Sequence, residues 1–324
     1  MTTVRPCEDQ VEWDEEVMTL GGHPLQLWGW GETKAAHNWQ VQRVFILNDE
    51  VIGVAQLLIR QLPAPFKAIV YVPRGPVCTE SERERVLNAL AEYAKKTYGA
   101  VAITVEPDWE GELQLKGWSR SRNTILIPRT LILDLSKTED ELLADMTKKT
   151  RQYVRKSGNE AVDIRQVKSR EELLACLDVY RETAARAHFG IHDDAYYLDV
   201  FDNLGDHSPV FAVFSQGQPI AFLWLAISET TAFELYGGMN NDGQQLRVNY
   251  ALKWYAIQMM KKWGIERYDF NGLLNDGVST FKQGFASHET MLVGTYDKPL
   301  SPLYGVWSKA LPMAKKVLQK INSR

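Results

Sequence analysis

Apolar and polar positions along the chain change period several times, and the changes come in a fixed order. Residues 43–49 (RVFILND) and 51–60 (VIGVAQLLIR) are β-rich runs on either side of the turn signal Asn48-Asp49, which predicts a hairpin. A third run, AIVYV at 68–72, enters Pro73-Arg74-Gly75-Pro76, a loop that no helix or central strand accepts. The period then turns helical. Val86, Leu87, Leu90, Tyr93 and Ala94 share one face, Thr79-Glu80-Ser81-Glu82 reads as a capping box, and Gly99 reads as a stop. AVAITVEP follows as another strand.

The order recurs at 210–272. VFAVFSQ and QPIAFLWLAI form a hairpin around Gly217, TAFELY at 231–236 is the third strand, and a loop over 237–243 precedes a helix predicted over 247–263. Gly264 closes that helix and IERYDF is the last strand. The helix ends match as well, in Lys95-Lys96-Thr97-Tyr98-Gly99 and Lys261-Lys262-Trp263-Gly264. Hairpin, third strand, loop, helix, strand resembles the centre of the GNAT-type acyltransferase fold. The repeat therefore predicts an α/β (α+β) chain of two tandem GNAT-like acyltransferase domains, against the alternative of two unrelated α+β stretches. The first domain would span 1–130 and be completed by 300–324, with a helix over 302–322 returning to it; the second would span 131–299. A pyrophosphate cradle at the third-strand loop would read Arg/Gln-x-x-Gly-x-Gly/Ala. Neither loop does: one sets a single glycine between prolines, and the other carries Asp242. Acetyl-CoA is therefore disfavoured as a donor.

Composition narrows the class. The chain has 324 residues, enough for two cores, with 45% hydrophobic and 24% charged residues, which excludes disordered and collagen-like proteins. Cys7, Cys78 and Cys176 are scattered with no CxxC, arguing against zinc and disulfides and for a cytoplasmic setting. Residues 1–16 carry acids and no apolar run, predicting neither signal peptide nor anchor. The net charge of −4 means that nucleic acid would need a local basic patch. One exists. After the strand LILDL, Ser136-Lys137-Thr138-Glu139 reads as a capping box, and the helix behind it aligns Leu142, Leu143, Met146, Tyr153 and Val154. Acids fill its first half, while Lys148, Lys149, Arg151, Arg155 and Lys156 fill its end. Cations there complement the helix dipole by about 0.3–1 kcal/mol each, but five in nine residues exceed that need and favour tRNA phosphates. His188, His192 and His207 lack a metal-ligand spacing, so no metal is predicted.

This basic segment, followed by Asp269-Phe270-Asn271-Gly272 and Thr280-Phe281-Lys282-Gln283-Gly284-Phe285, resembles the Fem (FemABX) family of aminoacyl-tRNA-dependent peptidyltransferases, which build the interpeptide branch of bacterial peptidoglycan. The resemblance is to its compact, FemX-like branch, without the long helical arm. It implies two GNAT-like domains, the first for the precursor and the second for aminoacyl-tRNA, with transfer at the cleft between them. The implied acceptor is the stem-peptide amine of UDP-MurNAc-pentapeptide or lipid II. No cofactor and no DNA are implied, and the expected form is a cytoplasmic monomer working close to the membrane when the acceptor is lipid-linked. A ligase acting on a peptide natural product and a non-catalytic tRNA- or precursor-binding protein are the alternatives.

The resemblance also implies roles. Lys282 is the transfer-site lysine, serving the oxyanion or the terminal tRNA phosphate, with Phe281 and Phe285 against the terminal adenosine. Glu106 falls on an acidic position proposed as base or amine-orienting group, with Asp108 as a competitor. Lys34 matches a lysine that contacts the acceptor diphosphate, and Tyr197 and Tyr236 match tyrosines of the acceptor groove. One departure stands out: where the family has an arginine just before the Tyr197 position, this chain has Asp193-Asp194. The residues alone allow plainer readings, with Lys282 solvent-exposed, Glu106 a solvated turn residue and Tyr236 a packing aromatic.

Overall fold

A computed structural model describes residues 2–157, 163–274 and 276–309. The chain divides into two compact units, one made of residues up to Pro128 and from Met291 on, the other of Arg129–Thr290. The second domain expected to run to 299 thus ends at 290. The strand Tyr296–Pro299 pairs antiparallel with Ala102–Glu106, and its Tyr296 and Asp297 pair with Ser119–Arg120, so its backbone groups are satisfied in the first unit's sheet. Of the helix expected over 302–322, residues 310–322 lie outside the described residues. The backbone is helical at 304–309, where Trp307 packs 5.5 Å from Phe66 and the Tyr304 hydroxyl donates to Asp297.

Both sheets have the same topology. In the first unit Thr3–Cys7, Gln40–Asn48, Glu50–Gln61, Ala68–Pro73, Ala102–Glu106 and Tyr296–Pro299 lie side by side; in the second the order is Asp163–Gln166, Val210–Ser215, Gln218–Ile227, Thr231–Met239, Arg267–Asp269, Ile132–Asp134. Neighbours are antiparallel except the fourth and fifth in each order, which are parallel. The predicted hairpins turn at Asp49 and at Gln216-Gly217, all with positive φ. The repeat's helix packs on each sheet, Arg83–Tyr98 and Asn249–Lys262, burying Val86, Leu87 and Leu90 in one core and Leu252, Ile257 and Met260 in the other.

The parallel ladders differ in length. In the first unit the register runs over five pairs, from Ile69↔Ala102 to Pro73↔Glu106, and both strands end together. In the second it stops after Thr231↔Arg267, Ala232↔Tyr268 and Phe233↔Asp269, while the strand Thr231–Met239 continues for six more residues. A gap therefore opens beside residues 234–239.

Local chemistry departs from the sequence pattern in three places. Thr79 makes no capping bond, because its hydroxyl faces Ser81 and Glu82 pairs with Arg85; a 3-10 turn, Glu80–Glu82, precedes the helix. The second capping box forms between Thr138 and Glu141, since Ser136 is taken by Asp134. The basic helix is also not continuous with the acidic one: Glu139–Asp145 ends at Met146 in an extended conformation, and Lys148–Ser157 starts anew. That break turns the basic helix onto the F-K-Q-G-F segment. Thr147 N donates to Gly284 O, and a Cβ on Gly284 would overlap Thr150 Oγ1. Gly284 has an ordinary φ, so close approach requires the glycine here, not backbone conformation. Gly284→Ala is expected to lower stability by about 1–3 kcal/mol, read from denaturant midpoints, and Thr150→Ala in the same chain should restore most of the loss.

Candidate active site

In the second unit, the gap left by the short ladder is a cavity of about 640 Å³. Its walls are the strand segment 234–239, the start of the helix Asn249–Lys262, the helix Gly277–Gln283 and the end of the helix Arg170–Ala187. Tyr180, Phe189, Phe222, Tyr236 and Phe281 give it aromatic faces, and Glu234, Lys253, Asn271 and Lys282 give it a polar floor.

The floor is a linked set. Asn271 Nδ2 donates to Glu234 O at 2.9 Å, bridging the strands where the ladder has ended. Lys282 Nζ lies 3.3 Å from both Asn271 O and Gly272 O, so the D-F-N-G segment holds the lysine of F-K-Q-G-F by its carbonyls. Phe281 packs edge-on to Tyr250 at 4.9 Å and lines the cavity, whereas Phe285 is fully buried behind it, out of reach of a bound adenosine. Lys253, which sequence reasoning did not single out, is 5% exposed and donates to Glu234 Oε1, an oxygen that also accepts from Tyr268 at 2.8 Å. Burial pushes the Lys253 ammonium down to about 8, Glu234 opposes the shift and the Lys282 cation adds to it. A signal existed: Lys253 falls on the helix face of Ala256, Ile257 and Met260, where an unpaired lysine would not be buried.

The loop that binds pyrophosphate in acyl-CoA enzymes is occupied from within. Residues 237–239 are strand, and Asn241–Leu246 is a short helix. Met239 N donates to Thr183 Oγ1, Arg186 donates to Met239 O, and Asn240 Oδ1 accepts from Gly243 N. These groups are committed to one another.

Of the basic residues, Lys148, Lys149, Arg155 and Lys156 are exposed. Arg151 instead donates to Leu143 O and Ala144 O, capping the preceding helix, so it leaves the outward set. Arg247 joins that set: it is exposed and stacks 4.4 Å over Tyr153, which in turn lies 5.0 Å from Tyr250. Tyr236 lines the cavity with its hydroxyl toward Tyr196, and burial raises its phenol pKa well above the usual 10. Tyr197, expected beside it in a groove, is 1% exposed; it packs on Tyr236 and Trp224 and its hydroxyl accepts from His192 N. It is core, because the two aspartates before it start the helix Asp194–Leu204 with Asp193 as cap and turn the ring inward. His192 stacks on Tyr196 and His207 faces Ile227 O, so neither points at a common ligand.

In the first unit, Lys34 ends the helix Trp28–Ala36, which a buried network clamps to the sheet. Arg43 donates to Gln56, Trp28 O and Glu32, and a Cβ on Gly31 would overlap both Gln56 and Arg43. Lys34 Nζ sits 4.2 Å over the Trp30 ring, and burial, then the neighbouring Arg60 cation, lowers it to about 8. Two mutually repelling cations among tryptophans suit an anion. Glu106 is 1% exposed, not a solvated turn residue. It accepts from the Tyr71 and Thr295 hydroxyls and from the backbone N–H of Ile125 and Leu126, at 3.0 and 2.9 Å. Three donors on Oε1 and one on Oε2 make a clamp for residues 125–126 and hold the carboxylate away from solvent.

The chain matches the FemAB family over residues 12–127, 114–214 and 212–311. It is 23% identical to a lipid II:glycine glycyltransferase of Staphylococcus epidermidis, with 94% of each chain covered. In structure it is similar to FemX, at a TM-score of 0.83 and 21% identity over 95% of this chain and all of that one. A tandem GNAT protein from the clavulanic acid biosynthesis pathway aligns at a TM-score of 0.52 and 11% identity, covering 93% of this chain and 99% of its own. The tandem GNAT fold is therefore the observed one, and the longest helix among the described residues, Arg170–Ala187, has 18 residues, as in an armless architecture. No helix among them is long and apolar enough to cross a membrane.

Glu106→Gln would replace charge-assisted hydrogen bonds by neutral ones and set an N–H2 against the Tyr71 hydroxyl, which must turn from donor to acceptor. About 1–3 kcal/mol of stability should be lost; a denaturant midpoint equal to that of the unsubstituted chain would contradict the clamp.

Proposed function

The chain belongs to the FemAB family, and on that premise we propose that it transfers an amino acid from aminoacyl-tRNA to the stem-peptide amine of a peptidoglycan precursor, UDP-MurNAc-pentapeptide or lipid II. The relatives' printed substrate supports the acceptor class. The observation that carries the donor side is the cavity at the opened ladder, with aromatic walls for a terminal base and Lys282 held at its floor beside the basic helix.

Chemically, an aminoacyl ester is already activated, so the reaction needs neither ATP nor a covalent enzyme intermediate. The protein must align the ester with the amine, move a proton and stabilise the oxyanion. Lys282 carries three donors, two of them directed at backbone carbonyls, which leaves one for the oxyanion or a phosphate. Tyr236 and Phe281 form the walls that exclude water. Outside the cavity, Lys148, Lys149, Arg155, Lys156 and Arg247 supply phosphate contacts to the acceptor arm. Lys34, with Arg60 beside it, takes the diphosphate of the acceptor; Arg60 offers the second charge that Asp193-Asp194 does not. An acyl-CoA reading is disfavoured by the internally satisfied loop at Met239–Gly243.

Incubation with charged tRNA and either precursor should give a product heavier by one aminoacyl residue in mass spectrometry; folded protein that yields none with any cognate pair would sink the proposal. Lys282→Ala should lower kcat by about 10²–10³-fold. Lys34→Ala should raise the acceptor KM by about tenfold with little change in kcat, the signature of a lost ground-state phosphate contact.

A further inference from the structure

The reaction needs a proton acceptor, and the four hydrogen bonds on Glu106 occupy the carboxylate that sequence reasoning favoured. The second unit's cavity offers another group. Lys253 reaches its floor from the helix Asn249–Lys262, and its neighbours come from every element packed around it. Glu234 from the strand Thr231–Met239 accepts its hydrogen bond, Tyr268 from Arg267–Asp269 donates to the same oxygen, and Lys282 approaches from the helix Gly277–Gln283. The rings of Phe270 and Phe281 lie 4.9 and 5.9 Å from its Nζ.

Such a pair is a poor device for stability. Taking both charges out of water costs more than an apolar pair of the same volume would, and the same residues could have closed the floor with a leucine and a valine. Its place at the floor of a cavity, not in the interior of the core, points to chemistry. Burial opposes the ammonium while Glu234 favours it, and the neutral amine keeps one hydrogen bond to Glu234 with a lone pair to present to the cavity, as a base held by an orienting carboxylate does. Lys282, by contrast, has two of its donors taken by the backbone carbonyls of Asn271 and Gly272.

We propose that Lys253, oriented by Glu234, is the general base and acid of the transfer reaction. This role rests on the donor reading given above. As the N–C bond forms, neutral Lys253 takes the proton that the attacking nitrogen gives up. As the C–O bond breaks, it returns that proton to the departing ribose oxygen. Amine and ester become amide and alcohol, and Lys253 ends neutral, with no proton gained or lost. The low-lying ammonium, at about 8, is matched to both halves of the shuttle.

The test is the pH dependence of single-turnover transfer from aminoacyl-tRNA. Because the neutral amine is the reactive form, the rate should climb with pH, and the slope of its logarithm should fall by one unit across a break near pH 8. Titration of the acceptor amine, with an ordinary value of roughly 10.4, adds its own slope but no break there. Lys253→Met should remove the break and lower the rate about 10²–10⁴-fold. Glu234→Gln removes the anion that favours the ammonium, so it should move the break to lower pH without abolishing it, an effect that a purely structural pair would not produce. A wild-type profile without the break, full activity in Lys253→Met, or a break unmoved in Glu234→Gln overturns the role. The wild-type profile decides the matter even if both variants fail to fold. Absence of any product from the wild-type chain overturns the donor reading and this role with it, whereas product formed without the break overturns this role alone.

Discussion

Everything in the second unit follows from where one parallel ladder ends. Three pairs join Thr231–Met239 to Arg267–Asp269, and then the strands separate. A sheet opened in this way leaves backbone groups without strand partners, and each must be satisfied by something else. Asn271 bridges to Glu234 O, Thr183 and Arg186 take the backbone of Met239, and Lys282 takes the carbonyls of the D-F-N-G segment. The same groups that repair the sheet line the cavity. In the first unit the equivalent ladder runs to the last residue, and Glu106 at its end is spent on binding the chain that follows. Two copies of one topology thus differ in whether the sheet is left open or zipped.

The glycine of F-K-Q-G-F links this opening to the basic helix. Thr150 packs where a Cβ would stand, so the helix Lys148–Ser157 can rest directly on the segment that carries Lys282. The break at Met146 makes that possible by letting the basic half turn away from the acidic half. Positive charge, aromatic walls and the floor lysines are thereby brought onto neighbouring elements within one unit.

The hairpins, the third strands, the two covering helices and their glycine stops were legible, because each rests on local periodicity or on a residue that tolerates positive φ. The F-K-Q-G-F motif drew attention to Lys282, which lines the second unit's cavity. What escaped was set by partners remote in sequence. Glu106 reads as a strand-end carboxylate, and nothing near it announces Thr295 or Ile125. Tyr197 reads like Tyr236, yet one lines the cavity and the other is core, a distinction made by how Asp193 starts its helix. Arg151 is indistinguishable in sequence from its basic neighbours until the helix breaks and gives it carbonyls to cap. Lys253 and Glu234 each interrupt an apolar face, and only their pairing across the floor gives either a meaning.

On the proposed reaction, the donor's aminoacyl end occupies the opened ladder of the second unit. A crystal structure with the stable donor mimic 3′-alanylamido-3′-deoxyadenosine decides this. The mimic is expected in the cavity between residues 234–239 and the helix Asn249–Lys262, with its carbonyl oxygen in hydrogen-bonding reach of Lys282. A mimic seated outside that cavity, or against the zipped ladder of the first unit, would contradict it.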